Sequence, residues 1–222
     1  MSLGIVIAMA AALLAGTVSG LSGFGYALVG APLLLLVFEP TTVVVTLASV
    51  GIILNLSVVF DSLRIVDVRA VGSLLPWSLV GLVIGTEILK FVQAVYIELA
   101  VGLLVIAFSL MMLRNLILPG MHGRWGPVIA GTSSGAMAAS TGLGGPPIVM
   151  LFVTRGLARD VFRANNGTYF FVLACSTFSL LSLRGVVEWE VLKLSALLIP
   201  AVLIGKFMGT KRFFQNRGTR VG

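Results

Sequence analysis

"GLSGFGYALVGAP", residues 20–32, decides how the chain folds. It lies inside an apolar stretch long enough to cross a bilayer, yet Gly20, Gly23, Gly25, Gly30 and Pro32 are poor helix formers in a lipid-spanning helix. A second interruption, "ASTGLGGPP", occupies residues 139–147. Unsatisfied backbone N–H and C=O groups are costly in hydrocarbon. Irregular backbone at membrane depth must therefore be sheltered by protein or line a water-filled cavity.

The composition supports the membrane setting. Of 222 residues 58% are hydrophobic and 10% charged, and mean hydropathy is +1.11. A soluble globule of this size needs more charge to cover its surface, so the apolar stretches are spanning helices. A transmembrane barrel would show short segments of alternating polarity, and this chain shows continuous apolar runs. Fifteen Lys and Arg against eight Asp and Glu give a net charge of +7. These basic residues fall mostly in loops between spans and set orientation. No basic patch interleaved with aromatics points to nucleic acid. Cys175 and His122 are the single cysteine and histidine, so no intrachain disulfide can form and no Cys/His metal site or cofactor is expected. The N-terminus has no Lys or Arg before its apolar run and is read as a retained segment, not a cleaved signal peptide.

Residues 16–36 match 131–151 at an offset of 115, with eight identities: Gly16, Thr17, Ser19, Gly20, Leu28, Gly30, Pro32 and Leu36 fall on Gly131, Thr132, Ser134, Gly135, Leu143, Gly145, Pro147 and Leu151. Pro76, Leu79, Gly81, Gly85 and Thr86 match Pro200, Leu203, Gly205, Gly209 and Thr210 at an offset of 124. Two matches in the same order predict an internal duplication, with a first repeat over 1–115 and a second over 125–222. The apolar segments are 3–38, interrupted at 19–25, then 41–60, 70–89 and 95–113. The second half gives 126–154, interrupted at 139–147, then 165–183 and 191–210. Nothing in it corresponds to 95–113, so it lacks a final helix.

Each interrupted segment reads either as one broken span or as a hairpin. Hairpins place eleven basic residues, from Arg64 to Arg220, on one side and only Lys90, Arg184 and Lys193 on the other. Single crossings split them about eight to six, so the positive-inside rule favours hairpins. Five segments in a half then make the second repeat inverted. The expected fold is all-α: a polytopic transmembrane helical bundle of two duplicated, inverted halves, each starting with a Gly/Pro-broken hairpin.

The arms after the breaks would point their N-terminal ends inward, with Pro32, Pro146 and Pro147 in a first helical turn. Free N–H groups and a partial positive charge there attract anions, and Ser22, Ser140 and Thr141 add hydroxyls. The expected substrate site therefore comprises Ser22, Gly23, Gly25, Pro32, Ser140, Thr141, Gly142, Gly144, Gly145 and Pro147, with Asn166 as a further binding candidate. Asn166 and Arg163 either open a helix from a cytoplasmic loop or face the cavity mouth. Asn55 reads as a hydrogen bond to a neighbouring helix or as a pathway group. Lys206 either snorkels to the cytoplasmic surface or places a positive charge in the pathway. Gly81, Gly85, Gly205 and Gly209 read as helix-packing contacts. Glu87 and Lys90 read as an interfacial pair. No carboxylate pair, nucleophile–base constellation or P-loop suggests an enzyme.

"GTVSGLSGFGYALVGAPLLLL", "GTSSGAMAASTGLGGPPIVMLF" and "FRANNGTYFF" together resemble the TauE/SafE family of membrane permeases, over about residues 4–210. The resemblance implies a multi-pass transporter of the bacterial inner membrane, linked to sulfite and organosulfonates. The expectation is a secondary transporter of a small anion working by alternating access, with a cytoplasmic C-terminal tail. Its partners are that anion and the lipid bilayer; homo-oligomers stay open. The alternative is an anion channel, or a transporter of another small organic anion. The family usually carries a last apolar helix beyond the position of Arg212.

Overall fold

A computed structural model describes residues 3–62, 64–114 and 123–218. They form ten helices among the described residues: α1 (Leu3–Ser22), α2 (Tyr26–Leu35), α3 (Pro40–Ser62), α4 (Val68–Gly72), α5 (Leu75–Phe91), α6 (Ala94–Leu113), α7 (Gly126–Thr141), α8 (Gly145–Thr154), α9 (Arg159–Leu183) and α10 (Trp189–Gly218). Six helical stretches are long and apolar enough to cross a membrane, while α2 and α8 are shorter apolar helices. At about 1.5 Å per residue, each ten-residue helix covers about 15 Å, half of a hydrocarbon core of about 30 Å.

The interrupted segments are hairpins. A Cβ placed on Gly4 would lie 2.7 Å from Val37 Cγ1, so the two ends of the first segment are neighbours. In the second segment α7 and α8 pack on each other. The breaks are narrower than the sequence suggests: α1 stays helical through Ser22 and α7 through Thr141, leaving Gly23–Gly25 and Gly142–Gly144 as the non-helical residues. Gly23, Gly25 and Gly142 have φ of 79°, 93° and 76°, a left-handed backbone that glycine adopts without steric cost. The expected span over 70–89 begins instead with the short α4, capped by Asp67 Oδ1 accepting from the Ala70 N–H at 3.0 Å, and continues as α5.

Helix pairing exchanges partners between the two halves of the sequence. α1 packs along α10, α5 along α7, and α3 along α9. The first two pairings depend on glycine. A Cβ on Gly16 would meet Val202 O at 2.2 Å, and one on Gly205 would meet Leu13 O at 2.2 Å. At the other seam, Cβ atoms on Gly81 and Gly135 would lie 2.1 Å from Thr132 O and 2.0 Å from Ser78 O. Backbones this close leave no room for a side chain, which is how transmembrane helices gain contact where lipid removes the hydrophobic drive. Gly85 and Gly209 make the same approach to Ala136 O and Thr17 O.

α6 lies at the periphery, with Val95, Leu99, Leu103, Ile106 and Leu110 forming an exposed apolar stripe suited to lipid. Glu87 pairs with Arg184, joining the ends of α5 and α9. The expected Glu87–Lys90 pair therefore does not form, and Lys90 Nζ lies 5.4 Å from the Phe91 ring centroid.

Candidate functional site: a cavity between the two breaks

The two breaks open on one cavity of about 100 Å³. Gly23, Gly25, Tyr26, Ala27 and Leu28 line it from the first hairpin, and Gly142–Gly145 from the second. Its remaining wall comes from α3, through Leu47, Gly51, Leu54 and Asn55, and from α9, through Phe170, Leu173, Ala174 and Thr177. None of the lining residues carries a charge. Leu47 separates the hairpins: its Cδ2 would be 3.1 Å from a Cβ on Gly30, and its Cδ1 2.6 Å from a Cβ on Gly142.

The helix starts differ in donor supply. The first α-helical bond at the start of α2 runs from the Val29 N–H to Gly25 O at 3.2 Å. The amides of Gly25, Tyr26, Ala27 and Leu28 therefore have no partner in the helical ladder, and all four residues line the cavity. Pro146 and Pro147 occupy the first turn of α8 as expected. Lacking N–H groups, they leave that helix start few donors beyond Gly144 and Gly145. Pro32 does not sit in a first turn: it lies inside α2. The reason is a shift of register. At the offset of 115, Gly23–Gly25 corresponds to Ala138–Ser140, four residues before the break at Gly142–Gly144. Aligned prolines thus fall one helical turn apart relative to their helix starts.

The three hydroxyls expected to donate to a solute are engaged locally. Ser22 Oγ donates to Val18 O at 2.8 Å and contacts Phe24 O. Ser140 Oγ donates to Ala136 O at 2.7 Å, and Thr141 Oγ1 to Met137 O at 2.8 Å. Each hydroxyl has one proton, so these groups cap the helix ends before the breaks. Ser22, Ser140, Thr141, Pro32 and Pro147 are absent from the cavity lining, while Gly23, Gly25, Gly142, Gly144, Gly145 and Asn55 are present. Asn55 Nδ2 donates to Gly51 O of its own helix at 2.8 Å, in place of the expected bond to a neighbour.

Arg163, Asn166 and Lys206 lie around the cavity without lining it. A Cβ on Gly23 would meet Arg163 Cγ at 2.9 Å, so the arginine stem rests on the first break. Asn165 and Asn166 are not in a loop: both are fully buried within α9. Lys206 Nζ donates to Leu54 O at 2.7 Å and Ser57 Oγ at 2.6 Å, tying α10 to α3. Its ammonium thus bonds to polar atoms of a neighbouring helix where snorkelling was the first expectation.

A polar relay missed at the sequence level holds the second break. Ser78 Oγ on α5 lies 2.7 Å from Tyr169 Oη on α9, Tyr169 Oη donates to Ser134 Oγ on α7 at 2.9 Å, and Ser134 Oγ donates to Gly144 O. All three side chains are buried. The signal was available. Ser134 is one of the eight identities, and its counterpart Ser19 lines the cavity beside the first break.

Six span-length apolar helices and paired broken hairpins around an internal cavity define a multi-pass membrane protein of the transporter class. The chain belongs to the TauE/SafE sulfite exporter family, whose model matches residues 8–220. The resemblance carried by its glycine–proline motifs is thus an actual membership, and the family is one of transporters, not enzymes. Comparisons with curated proteins and with solved structures give no match.

Proposed function

We propose that this protein is a secondary transporter that moves a small anion, sulfite or a compact organosulfonate, by alternating access, with its site in the cavity between the breaks. The observation that carries the reading is that both interruptions line one uncharged cavity onto which the start of α2 opens. A helix start carries about half an elementary positive charge and free N–H groups, which attract an anion without binding it irreversibly. A volume of about 100 Å³ exceeds the roughly 10–15 Å³ that one water needs, and suits a small oxyanion better than a long organosulfonate.

The exchange of helix partners, α1 with α10 and α7 with α5, supports two inverted repeats over 1–115 and 125–222. Rocking of one bundle, α1 and α2 with α10, against the other, α5 with α7 and α8, would keep both glycine seams intact and open the cavity to alternate sides. Family membership supports a bacterial inner membrane as the location, and the distribution of basic residues supports a cytoplasmic C-terminal tail.

Flux of labelled sulfite in proteoliposomes tests this reading. Saturable flux without steady conductance in a planar bilayer is expected. A steady anion conductance would favour the channel alternative, and absence of flux for both sulfite and small sulfonates would remove the substrate assignment.

A further inference from the structure

Asn165 and Asn166 are adjacent and both fully buried, and Nδ2 of each lacks a hydrogen-bond partner. Asn165 Oδ1 accepts from the Asp67 N–H at 2.8 Å, fixing the turn before α4 against α9. Asn166 has no hydrogen-bond partner on either Oδ1 or Nδ2. A wholly unsatisfied buried amide is destabilising, and such groups are rare in folded proteins.

The position of Asn166 along α9 gives this unsatisfied amide a role. One turn before it, Phe162 meets Phe24 of the first break edge-to-face, with ring centroids 5.9 Å apart. One turn after it, Phe170 lines the cavity, and its Cζ lies 3.9 Å from a Cβ placed on Gly145 of the second break. Further along the same face, Leu173, Ala174 and Thr177 also line the cavity. Asn166 therefore belongs to the helix face turned to the two breaks, but is shut off from the cavity.

We propose that Asn166 is a solute-recognition residue occluded in this conformation, and that it joins the cavity when the protein opens. Its amide selects a small oxyanion carrying an O–H group. One N–H donates to an anion oxygen, and the solute O–H donates to Oδ1. A fully deprotonated anion satisfies only the N–H and faces the carbonyl dipole with like charge. The inference rests on the transport reading for its solute, whereas the exposure of Asn166 can be measured without it.

The test uses the full chain in proteoliposomes with Cys175→Ser as background. Asn166→Cys and Ala164→Cys occupy equally buried positions on the same helix. Position 166 is expected to react with a small water-soluble thiol reagent about tenfold faster than position 164, and more slowly with sulfite present. Equal inertness of both positions overturns the proposal, whether or not the protein carries sulfite. In parallel, Asn166→Leu is expected to cut sulfite flux about tenfold, the equivalent of one lost hydrogen bond, without lowering the unfolding temperature. Bicarbonate, which keeps an O–H, is expected to inhibit wild-type flux more than nitrate does, and Asn166→Leu to abolish that difference. Unchanged flux in Asn166→Leu, or equal inhibition by the two anions in the wild type, contradicts the proposed role. Absence of sulfite flux in the wild type would bear on the transport reading and leave the labelling comparison to decide the exposure of Asn166.

Discussion

The side chain of Leu47 lies so close over Gly142 that a Cβ there would come within 2.6 Å of Leu47 Cδ1. Gly142 also has φ of 76°, so the backbone favours glycine at the second break, and any Cβ there also obliges the end of Leu47 to move. Gly142→Ala is expected to destabilise the protein by about 2–4 kcal/mol, from left-handed strain together with overpacking. Adding Leu47→Ala should relieve the steric share and leave the conformational share. Thermal unfolding of the single and double variants in detergent measures the coupling, and strictly additive effects would contradict the contact.

The relay from Ser78 through Tyr169 and Ser134 to Gly144 O spans three helices. Ser134→Ala removes the group that both accepts from Tyr169 and donates to Gly144, leaving two buried atoms short of a partner. Tyr169→Phe leaves the bonds of Ser134 to Gly144 and Ser78 to Leu74 in place. The expected loss is about 2 kcal/mol for Ser134→Ala and about 1 kcal/mol for Tyr169→Phe. Unfolding midpoints in the reverse order would show that the relay does not hold the break.

Lys206 replaces lipid-exposed charge with two directed hydrogen bonds to α3. Lys206→Met keeps the stem and removes the donor, and is expected to lower stability by about 1.5–3 kcal/mol, the range for bonds from a charged group. Ser57→Ala should cost less, because the bond to Leu54 O remains. Equal stability of Lys206→Met and the wild type would contradict the tie between α10 and α3.

Much of this architecture was legible before the fold was known, because the bilayer constrains it strongly. Helices must satisfy their own backbone, so apolar length places α3, α6, α9 and α10, and the distribution of basic charge selects hairpins over broken spans. What the sequence could not reveal depends on register and tertiary contact. Identical residues align Pro32 with Pro147, but identity does not report where a helix starts, and the start differs by one turn. Ser22, Ser140 and Thr141 resemble solute ligands in composition, yet serine and threonine in a helix reach the carbonyl four residues back. Asn55 does the same through its amide. The burial of Asn166 and the relay at Ser134 depend on which helices face one another, and only the packing of α9 against α3, α5 and α7 reveals that.

Gly145 allows the most direct test of the shared cavity as the solute site. It lines the cavity, its backbone φ is not left-handed, and the nearest atom to a Cβ placed on it is Phe170 Cζ at 3.9 Å. Gly145→Leu therefore meets no close neighbour from another helix and should fill the cavity, its local cost being a Cβ placed before Pro146 at the helix start. Equilibrium binding of labelled sulfite to the purified protein, with unfolding temperature as a control for folding, is the deciding measurement. The account predicts saturable binding by the wild type and its loss in a folded Gly145→Leu variant. Undiminished binding in that variant would contradict the placement of the solute between the breaks.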